Sequence, residues 1–302
     1  AGLAHRLADG GHNVTIAVPI APVEELQGKF VHERIQLLEL PRWRTSPGDI
    51  ASRRRNLQTV RDLCRRIDLQ RIDAALMFFC SPEFAALFAL LSRRRGRRPR
   101  LIFSQRGAVR LSEKPLRRFI TRHFSKLRLA AYFIDLIVPN FENAKPVLVA
   151  KGIPPRKIHP IHNGLTDDVF SLDTAPAERS ELGLDHTSPI ILFVGSLIPR
   201  KGIRDLVEAA ARVEQAGFVI AGEGPLRSEI ECRIDQLGVG DRVLLLGHRT
   251  DVPALMRAAD LLALPAYAEG LPNVVLEAGA ARLPVVATDV DGTPEVVVQG
   301  ET

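Results

Sequence analysis

The chain has 302 residues, of which 46% are hydrophobic and 25% are charged, so it is long enough for two domains and ordinary in composition for a globular protein. These proportions exclude a collagen-like, low-complexity or disulfide-rich chain. The three cysteines, Cys64, Cys80 and Cys232, are far apart and form no C-x-x-C pair, which indicates a reducing compartment and no zinc site.

The net charge of +6 is distributed unevenly along the chain. Residues 1–165 contain 30 Lys and Arg against 13 Asp and Glu, a net charge of +17, whereas residues 166–302 contain 11 against 22, a net charge of −11. Two halves of opposite charge indicate two units with different roles. The basic half favours an anionic partner, such as a phosphate ligand, a lipid headgroup or nucleic acid.

In the first half, short apolar runs alternate with amphipathic stretches. The opening residues Ala1–Asp9 predict a helix that the following pair of glycines terminates. Residues 74–91 are strongly apolar, but a Ser-Pro-Glu sequence in their middle favours a buried strand followed by a helix over a membrane span. The predicted strands are Val14–Val18, Ile35–Leu40, Ala74–Phe79, Leu101–Phe103, Ile134–Val138 and Ile158–Ile161, and the amphipathic stretches are Asn56–Leu69 and Leu116–Ala131.

The second half alternates more regularly, after a segment rich in Pro, Ser and Asp that ends at Pro189 and predicts a linker. Short runs of β-branched residues that alternate with helices are typical of a parallel sheet covered on both faces. We therefore predict an α/β chain with two tandem Rossmann-like, doubly wound parallel-sheet domains, at residues 1–164 and 165–302, that face each other across a cleft. In the second half the predicted strands are Ile190–Val194, Phe218–Ala221, Val243–Leu246, Leu261–Leu264 and Val285–Ala287, and the predicted helices are Ile203–Ala211, Pro225–Leu237, Val252–Ala259 and Asn273–Ala281.

Two loops of the second half have the composition of a phosphate site, and ligands of doubly wound sheets bind at the carboxyl ends of strands. In Gly195–Gly202, Lys201 precedes a helix whose free N–H groups suit a phosphate; the alternative is a surface loop with two solvated cations. In Ala221–Pro225, glycines permit close approach of the backbone to a ligand, although Arg227 stands in place of the third glycine of a dinucleotide fingerprint. The alternative for this second loop is simple turn chemistry.

A third loop places two carboxylates around the start of a helix. Glu269 follows the strand Leu261–Leu264, Asn273 is predicted to cap the next helix, and Glu277 lies one turn into it. Both carboxylates can face one cleft and accept hydrogen bonds from sugar hydroxyls, while the loop amides between them bind a phosphate oxygen. The alternative is a surface glutamate favoured by the helix dipole and an unrelated loop charge.

Other charged residues give weaker signals. The histidines show no metal-ligand spacing to a second His or Cys, so no metal site is predicted. The arginine runs Arg53–Arg55 and Arg93–Arg100 and the basic stretch Pro115–Arg128 are interpreted either as solvated helix ends and loops or as contacts with anionic lipid or an acidic acceptor. Few aromatic residues lie among them, so nucleic acid is not a predicted partner.

Together and in this order, the three loops resemble those of the family 4 retaining glycosyltransferases of the GT-B fold. The similar segments are Phe193–Gly202, Ala221–Pro225 and Leu245–Val297. In addition, Ile161–Phe170 resembles the interdomain segment of the family, and Ala1–Val14 resembles the end of its first helix. The similarity covers nearly the whole chain and is most specific in the second half.

The resemblance implies roles for individual residues. Glu277 would hold the nucleotide ribose, Glu269 would contact the donor sugar, and Lys201 would neutralise the diphosphate. The other residues that would line the nucleotide, phosphate and sugar sites are Gly222, Glu223, Gly224, Pro225, His248, Arg249, Gly270, Leu271, Pro272 and Asn273.

The family transfers a sugar from a nucleotide-diphosphate donor to an acceptor hydroxyl with retention of the anomeric configuration, and it needs neither a metal nor another cofactor. The implied catalytic residues are Glu269 and Lys201. A fixed lysine and helix N–H groups would stabilise the charge that develops on the leaving diphosphate. A phosphate oxygen of the leaving group would act as the base for the acceptor, and no nucleophilic role is assigned to Glu269.

The chain departs from the family pattern in three ways. Ser196 stands where many members have an arginine, and Arg200 is the candidate to supply that charge. Ser104–Gly107 stands where a loop of the first domain often has a histidine, and Arg106 is the candidate for the cleft. A glycine-rich loop is expected before the first residue and a returning helix after the last, so we expect both ends to be truncated.

These observations predict a metal-independent hexosyl- or related transferase of surface polysaccharide or glycolipid synthesis. Its expected partners are a nucleotide-sugar, a glycan or lipid-linked acceptor and an anionic membrane surface. We expect it in the cytoplasm, with peripheral attachment to the inner face of the membrane as a further hypothesis. The alternatives are a non-catalytic nucleotide-sugar- or lipid-binding partner of a glycan-assembly complex, and another GT-B enzyme such as a sugar-nucleotide epimerase.

Overall fold

The chain packs as two units. The computed structural model describes residues 2–18, 31–39, 58–65, 72–78, 82–93, 99–107, 126–165, 175–177, 179 and 188–302. The first unit is formed by Ala1–Gln105, Leu111–Val138 and Leu148–His159, and the second by Arg106–Arg110, Pro139–Val147 and Pro160–Thr302. The domain boundary predicted at residue 164 is a different division of the chain and stays a prediction.

The first unit is built on short parallel strands. Strand β1 (Val14–Val18) pairs in parallel with β2 (Ile35–Glu39), and β3 (Ala74–Met77) pairs in parallel with β4 (Arg100–Gln105). The other neighbour of β4 is β5 (Leu136–Pro139). The helices that precede or follow these strands along the chain are α1 (Gly2–Asp9), α2 (58–65), α3 (Pro82–Arg93), α4 (Lys126–Ala131) and α5 (Ala144–Ala150), the last of which begins in the second unit and ends in the first.

The second unit contains a five-stranded sheet in the order β10-β9-β6-β7-β8, with parallel pairing throughout. Strand β6 (Ile190–Val194) lies at the centre of this sheet. Strand β7 (Gly217–Ala221) is buried along its whole length, as expected where helices cover both faces of a sheet. The remaining elements are β8 (Val243–Gly247), β9 (Leu261–Leu264), β10 (Val285–Ala287), α6 (Ile203–Ala210), α7 (Arg227–Leu237), α8 (Val252–Ala258) and α9 (Asn273–Ala280).

Two hydrophobic cores lie on opposite faces of this sheet, because successive residues of a strand point to opposite sides. Leu192 belongs to the core that contains Met256 of α8 and Val275 of α9. The next residue, Phe193, belongs to the core that contains Val207 of α6 and Ile230 of α7. The second unit is therefore doubly wound, and the predicted α/β class with parallel sheets is confirmed.

One predicted strand is wrong. Within Ile158–Ile161 only Ile158 forms a bridge, to Ile137 of β5, although the N–H groups of His159 and Ile161 donate to the carbonyls of Ile137 and Pro139. Pro139 has no N–H with which to complete the next bridge of the ladder. Several sequence predictions fall outside the described residues: Cys80, Arg53–Arg55, most of Pro115–Arg128 and residues 166–174. In the part of the chain that the structure describes, no helix combines the length and the apolar sequence that crossing a bilayer requires.

Candidate functional site

Four neighbouring strands of the second unit direct their following loops to one edge of the sheet. Because β9, β6, β7 and β8 are adjacent and parallel, their carboxyl ends share that edge. The loops that leave it are residues 265–272, 195–202, 222–226 and 248–251. All three sequence segments singled out for phosphate or sugar binding therefore lie at the same edge.

Glycines allow the loops after β6 and β7 to pack backbone against backbone. A Cβ atom added to Gly222 would lie 1.9 Å from the carbonyl oxygen of Gly195, and one added to Gly224 would lie 2.5 Å from that of Leu197. The N–H of Leu197 donates to the carbonyl of Glu223 over 2.9 Å, which continues the pairing beyond the strands. The glycines of this segment thus serve close loop packing, which no larger residue permits.

Gly202 brings the loops after β6 and β9 together. Its φ of 66° lies in the left-handed region, and an added Cβ would lie 1.8 Å from the carbonyl oxygen of Pro265. The N–H of Tyr267 donates to the carbonyl of Arg200 over 2.8 Å. The short 3₁₀ turn Pro199–Lys201 is therefore anchored beside the loop that contains Glu269.

Glu269, Lys201 and Arg200 form a charged cluster at this point. The Lys201 ammonium contacts Oε1 of Glu269, with only 13% and 9% of the two side chains exposed. Nη1 of Arg200 lies 3.5 Å from Oε2 of Glu269 and donates to the carbonyl of Ala268 over 3.1 Å. Oε1 accepts no aligned hydrogen bond from the described residues, so its contact with Lys201 is an ion pair held by charge.

The backbone around Glu269 is fixed by residues that the sequence did not indicate. The N–H of Glu269 donates to Oδ2 of Asp291 over 3.0 Å, and Asp291 has a φ of 48°, a conformation that aspartate tolerates better than most residues. The carbonyl of Gly270 accepts from the N–H of Gly292 over 3.1 Å. The sequence does not indicate Asp291, because this residue lies 22 residues from its partner and no sequence pattern links the two.

Asn273 does not cap the next helix as predicted. Helix α9 begins at Asn273 itself, the preceding Pro272 is extended, and no side chain caps the helix. Instead, Oδ1 of Asn273 accepts a hydrogen bond from Nδ2 of Asn163 over 2.7 Å. The same Nδ2 donates to the carbonyl of Leu271 over 3.1 Å. Asn163, a residue without an assigned role in the sequence, therefore holds the loop next to Glu269.

Arg106 reaches the same loop through Asn163. Its Nη1 donates to Oδ1 of Asn163, and burial lowers the pKa of the guanidinium. A Cβ atom added to Gly270 would lie 2.8 Å from the carbonyl oxygen of Arg106, so the backbone of Arg106 also packs closely against this loop. The structure thus places this candidate beside the segment Gly270–Asn273.

Glu277 lies in the second turn of α9 and is half-buried. Burial raises the pKa of its carboxyl group, because the charged form is less well solvated there than in water. No cation among the described residues pairs with it. Its carboxylate therefore has capacity to accept hydrogen bonds from a ligand.

The remaining candidates are engaged with their own neighbours. Glu223 lies 2.6 Å from Nη1 of Arg227, at the start of a helix that begins two residues after the predicted Pro225. Arg249 donates to Asp251 over 2.8 Å, a hydrogen bond that lowers the pKa of the aspartate. His248 is exposed in the loop after β8. The structure places these residues at the same edge without bringing them into the Glu269 cluster.

Glu295 is a further residue that the sequence did not single out. Its carboxylate accepts hydrogen bonds from the backbone N–H groups of Glu142 and Asn143, both over 2.8 Å, and lies 2.8 Å from Nε2 of His162. It therefore joins two segments of the second unit, Pro139–Val147 and Pro160–Thr302.

Two protein-family models match the chain, one in each half. The family model described as Glycosyltransferase Family 4 matches residues 1–169, more than half of the chain, and the model described as Glycosyl transferases group 1 matches residues 174–302.

The chain belongs to glycosyltransferase family 4.

This family 4 chain is similar to the D-inositol 3-phosphate glycosyltransferase of Mycobacterium tuberculosis, with 36% identity over 175 residues. The match covers 55% of the chain but only 36% of the relative's length. Among solved structures, Anabaena HepE in complex with UDP and glucose has a TM-score of 0.70 at 20% identity over 95% of the chain and 76% of its own. Sucrose-phosphate synthase from Thermosynechococcus elongatus has a TM-score of 0.72 at 21% identity, over 100% and 77%.

These neighbours are GT-B glycosyltransferases, so the family 4 chain has the GT-B fold, with two domains that the two family models match separately. At this identity the likeness shows the fold alone. The roles of the individual site residues stay predictions.

Proposed function

We propose that the protein is a retaining glycosyltransferase that moves a sugar from a nucleotide-diphosphate sugar to an acceptor hydroxyl. The observation that carries the proposal is the cluster of Glu269, Lys201 and Arg200 at the carboxyl edge of the sheet. It lies in the same loop-and-helix segment as Glu277, with which no cation of the described residues pairs. A donor with sugar hydroxyls, a ribose and a diphosphate needs carboxylate acceptors and cations side by side.

In this proposal Lys201 and Arg200 stabilise the leaving diphosphate. Breaking the bond from the anomeric carbon to phosphate develops negative charge on the leaving group, and fixed cations in a partly buried site stabilise that charge effectively. Glu269 holds Lys201 in place and offers its carboxylate to the donor sugar. The guanidinium of Arg200 lies near the same carboxylate. It supplies the positive charge that many family members have from an arginine at the position of Ser196.

Independence of metal is a separate part of the proposal. If two protein cations take over charge stabilisation, turnover should persist in excess EDTA, measured as release of nucleoside diphosphate. A loss of turnover that Mg²⁺ or Mn²⁺ restores would contradict this part and leave the transferase proposal in place.

A panel of nucleotide-sugars and acceptor compounds tests which donor and which acceptor the protein uses. HepE was solved with UDP and with UDP-glucose, so UDP-sugars come first, followed by GDP-, ADP- and dTDP-sugars. Acceptors should include phosphorylated polyols and lipid-linked sugars, because a relative is named for D-inositol 3-phosphate and residues 1–165 have a charge of +17. Mass analysis identifies the product, and its anomeric configuration tests retention.

The panel also separates the alternatives. Donor binding by calorimetry without turnover of any acceptor would favour a non-catalytic binding partner. Conversion of the nucleotide-sugar itself, without transfer, would favour an epimerase. No binding of any nucleotide-sugar would end the proposal.

A cytoplasmic location on an anionic membrane, in surface polysaccharide or glycolipid synthesis, completes the proposal. The basic first half supports it. Co-sedimentation with vesicles that contain anionic lipid should decline steeply as salt rises, since screening weakens attraction between exposed charges. Binding that is absent, or that salt does not affect, would exclude this attachment.

A further inference from the structure

Three polar side chains form a continuous chain of hydrogen bonds beside the Glu269 loop. Arg106 donates to Oδ1 of Asn163, and Nδ2 of Asn163 donates both to the carbonyl of Leu271 and to Oδ1 of Asn273. Arg106 follows β4, Asn163 follows the bridge at Ile158, and Asn273 begins α9. All these residues belong to the second unit.

The chemistry of the two ends fixes the direction of this chain. A guanidinium only donates hydrogen bonds and a carbonyl only accepts them. Asn163 lies between Arg106 and the carbonyl of Leu271, so its oxygen must face Arg106 and its NH₂ must face Leu271. The opposite orientation would set donor against donor on one side and acceptor against acceptor on the other.

The orientation of Asn273 follows from that of Asn163. Because Asn163 presents its NH₂ group, Asn273 must turn its oxygen towards it. The NH₂ of Asn273 is then directed elsewhere, and the residue is exposed. Among the residues that the structure describes, this NH₂ finds no acceptor.

We infer that Arg106 and Asn163 are positioning residues that orient Asn273 so that it offers only hydrogen-bond donors to a ligand of this loop. The inference deepens the proposed function and rests on it for the identity of the ligand. Groups that suit a fixed donor are oxygen acceptors: the ionised oxygens of a nucleoside diphosphate or the lone pairs of the transferred sugar. Asn273 thus selects oxygen acceptors, and Asn163 sets that selection without contacting the ligand.

The variant Asn163→Asp tests the orientation directly. A carboxylate has nearly the same shape and still pairs with Arg106, but it cannot donate to Leu271 or to Asn273. The amide of Asn273 is then expected to rotate, with its NH₂ towards the carboxylate and its oxygen outwards. Asn13→Asp, at an exposed position of the first unit, is the matched control.

Side-chain amide exchange, followed by NMR on protein with ¹⁵N-labelled asparagine, reports this rotation without any ligand. In the native chain the NH₂ of Asn273 should exchange rapidly and that of Asn163 slowly. In Asn163→Asp, exchange at Asn273 should slow, and in the Asn13→Asp control it should not change. Unchanged exchange at Asn273 in Asn163→Asp overturns the inference.

Calorimetry with UDP and UDP-glucose tests the consequence for binding. Asn163→Asp should raise Kd about tenfold, since the oxygen of Asn273 then faces the oxygen acceptor of the ligand where its NH₂ donated before. Asn273→Ala should weaken binding in the native background but not in the Asn163→Asp background, where the misoriented amide no longer helps. If Asn163 served only to keep the loop folded, the two losses would multiply, and the inference would be wrong.

Comparison of the two ligands shows which group of the donor accepts the hydrogen bond from Asn273. Equal losses for UDP and UDP-glucose assign it to the diphosphate, and a loss for UDP-glucose alone assigns it to the sugar. If neither ligand binds the native chain, calorimetry uses the nucleotide-sugar of the donor panel that does bind, and if none binds the proposed function fails. In either case the exchange experiment still decides whether Asn163 orients Asn273.

Discussion

The loop after β9 and the helix that follows it hold their carboxylates in opposite ways. In the loop, Glu269 is buried, lies against Lys201 and Arg200, and has its backbone N–H bound by Asp291. In α9, Glu277 is half-buried, its pKa is raised by burial, and no cation of the described residues pairs with it. Two carboxylates of one candidate site thus occupy very different electrostatic environments.

This difference separates contributions to folding from contributions to function. A buried ion pair contributes to the fold once it exists, because removal of one partner leaves an uncompensated buried charge. A half-buried carboxylate without a cation is unfavourable for the folded chain, so its presence at this edge of the sheet favours a role in ligand binding. Substitutions in the loop should therefore impair stability and activity together, and a substitution in the helix should separate them.

The largest effect is expected for Lys201→Met. The substitution leaves Glu269 buried without its ammonium partner, so it should lower the free energy of unfolding by about 3 kcal/mol. Loss of a cation at the leaving group should also lower turnover about 100-fold or more. Urea denaturation and release of nucleoside diphosphate measure the two effects.

Arg204→Met is the matched control for that variant. Arg204 pairs with Glu229 on the surface, with about half of each side chain exposed, so the loss of this pair should change stability little. If Lys201→Met is as mild as this control, the cluster at Glu269 is neither a buried pair nor a catalytic one.

The next largest effect is expected for Glu269→Gln. A double variant that adds Lys201→Met separates the effect on stability from the effect on turnover. The amide leaves Lys201 without its counter-ion, so the single variant should lose stability and turnover. Lys201→Met combined with Glu269→Gln removes both charges and should be more stable than Lys201→Met alone. Turnover should not recover, because the cation is missing. Recovery of turnover in the double variant would show that these residues only stabilise the fold.

Residue types after strand ends were sufficient to predict that Lys201 and Glu269 lie at one edge of the sheet, because in a parallel sheet such positions share that edge. The roles of these residues and of Glu277 stay predictions. The five strands of the second unit were predictable for a related reason: each is a short apolar run next to a glycine or proline signal. The sequence could not show which distant residues contact the side chains of the site. Asn163 lies 110 residues from Asn273, and Glu295 lies 153 residues from Glu142, so only the folded chain joins them.

The failed prediction for Asn273 has the same origin. The sequence Pro-Asn before an apolar run is compatible with a cap, because asparagine often accepts the first helical N–H groups. In the structure the helix has already begun at Asn273, and Asn163 occupies the oxygen that a cap would use. Tertiary contact therefore overrides the local preference at this position.

Glu277→Gln should separate stability from function. Because burial raises the pKa of Glu277, the folded chain binds more protons than the unfolded chain at pH values between the ordinary pKa of about 4.5 and the raised one. The free energy of unfolding therefore declines as pH rises through this interval, and the loss is complete above it. Glutamine carries no charge, so the variant should exceed the native chain in Tm at about pH 7 but match it at about pH 4.

The same variant should bind the donor less well, by about tenfold in Kd, because a neutral amide replaces a charged acceptor. Glu214→Gln, at an exposed position, is the control and should change neither quantity. A Glu277→Gln variant that is less stable at neutral pH would show that the carboxylate has a favourable partner in the folded chain, and the contrast with Glu269 would be lost.

The smallest effect is expected at Asp291, which could hold the loop through its own backbone conformation or through its side chain. Asp291→Gly keeps the φ of 48° accessible but leaves the N–H of Glu269 without its acceptor, which should cost about 1 kcal/mol and raise KM a few-fold. Asp291→Asn keeps both an acceptor oxygen and a residue that tolerates this φ, so it should resemble the native chain. If the glycine variant matches the asparagine variant in Tm and KM, the bond to Asp291 does not position Glu269, and Lys201 and Arg200 fix the carboxylate. A defect in both variants would instead assign the role to the negative charge of Asp291, and the loop would then depend on electrostatics as strongly as its ion pair does.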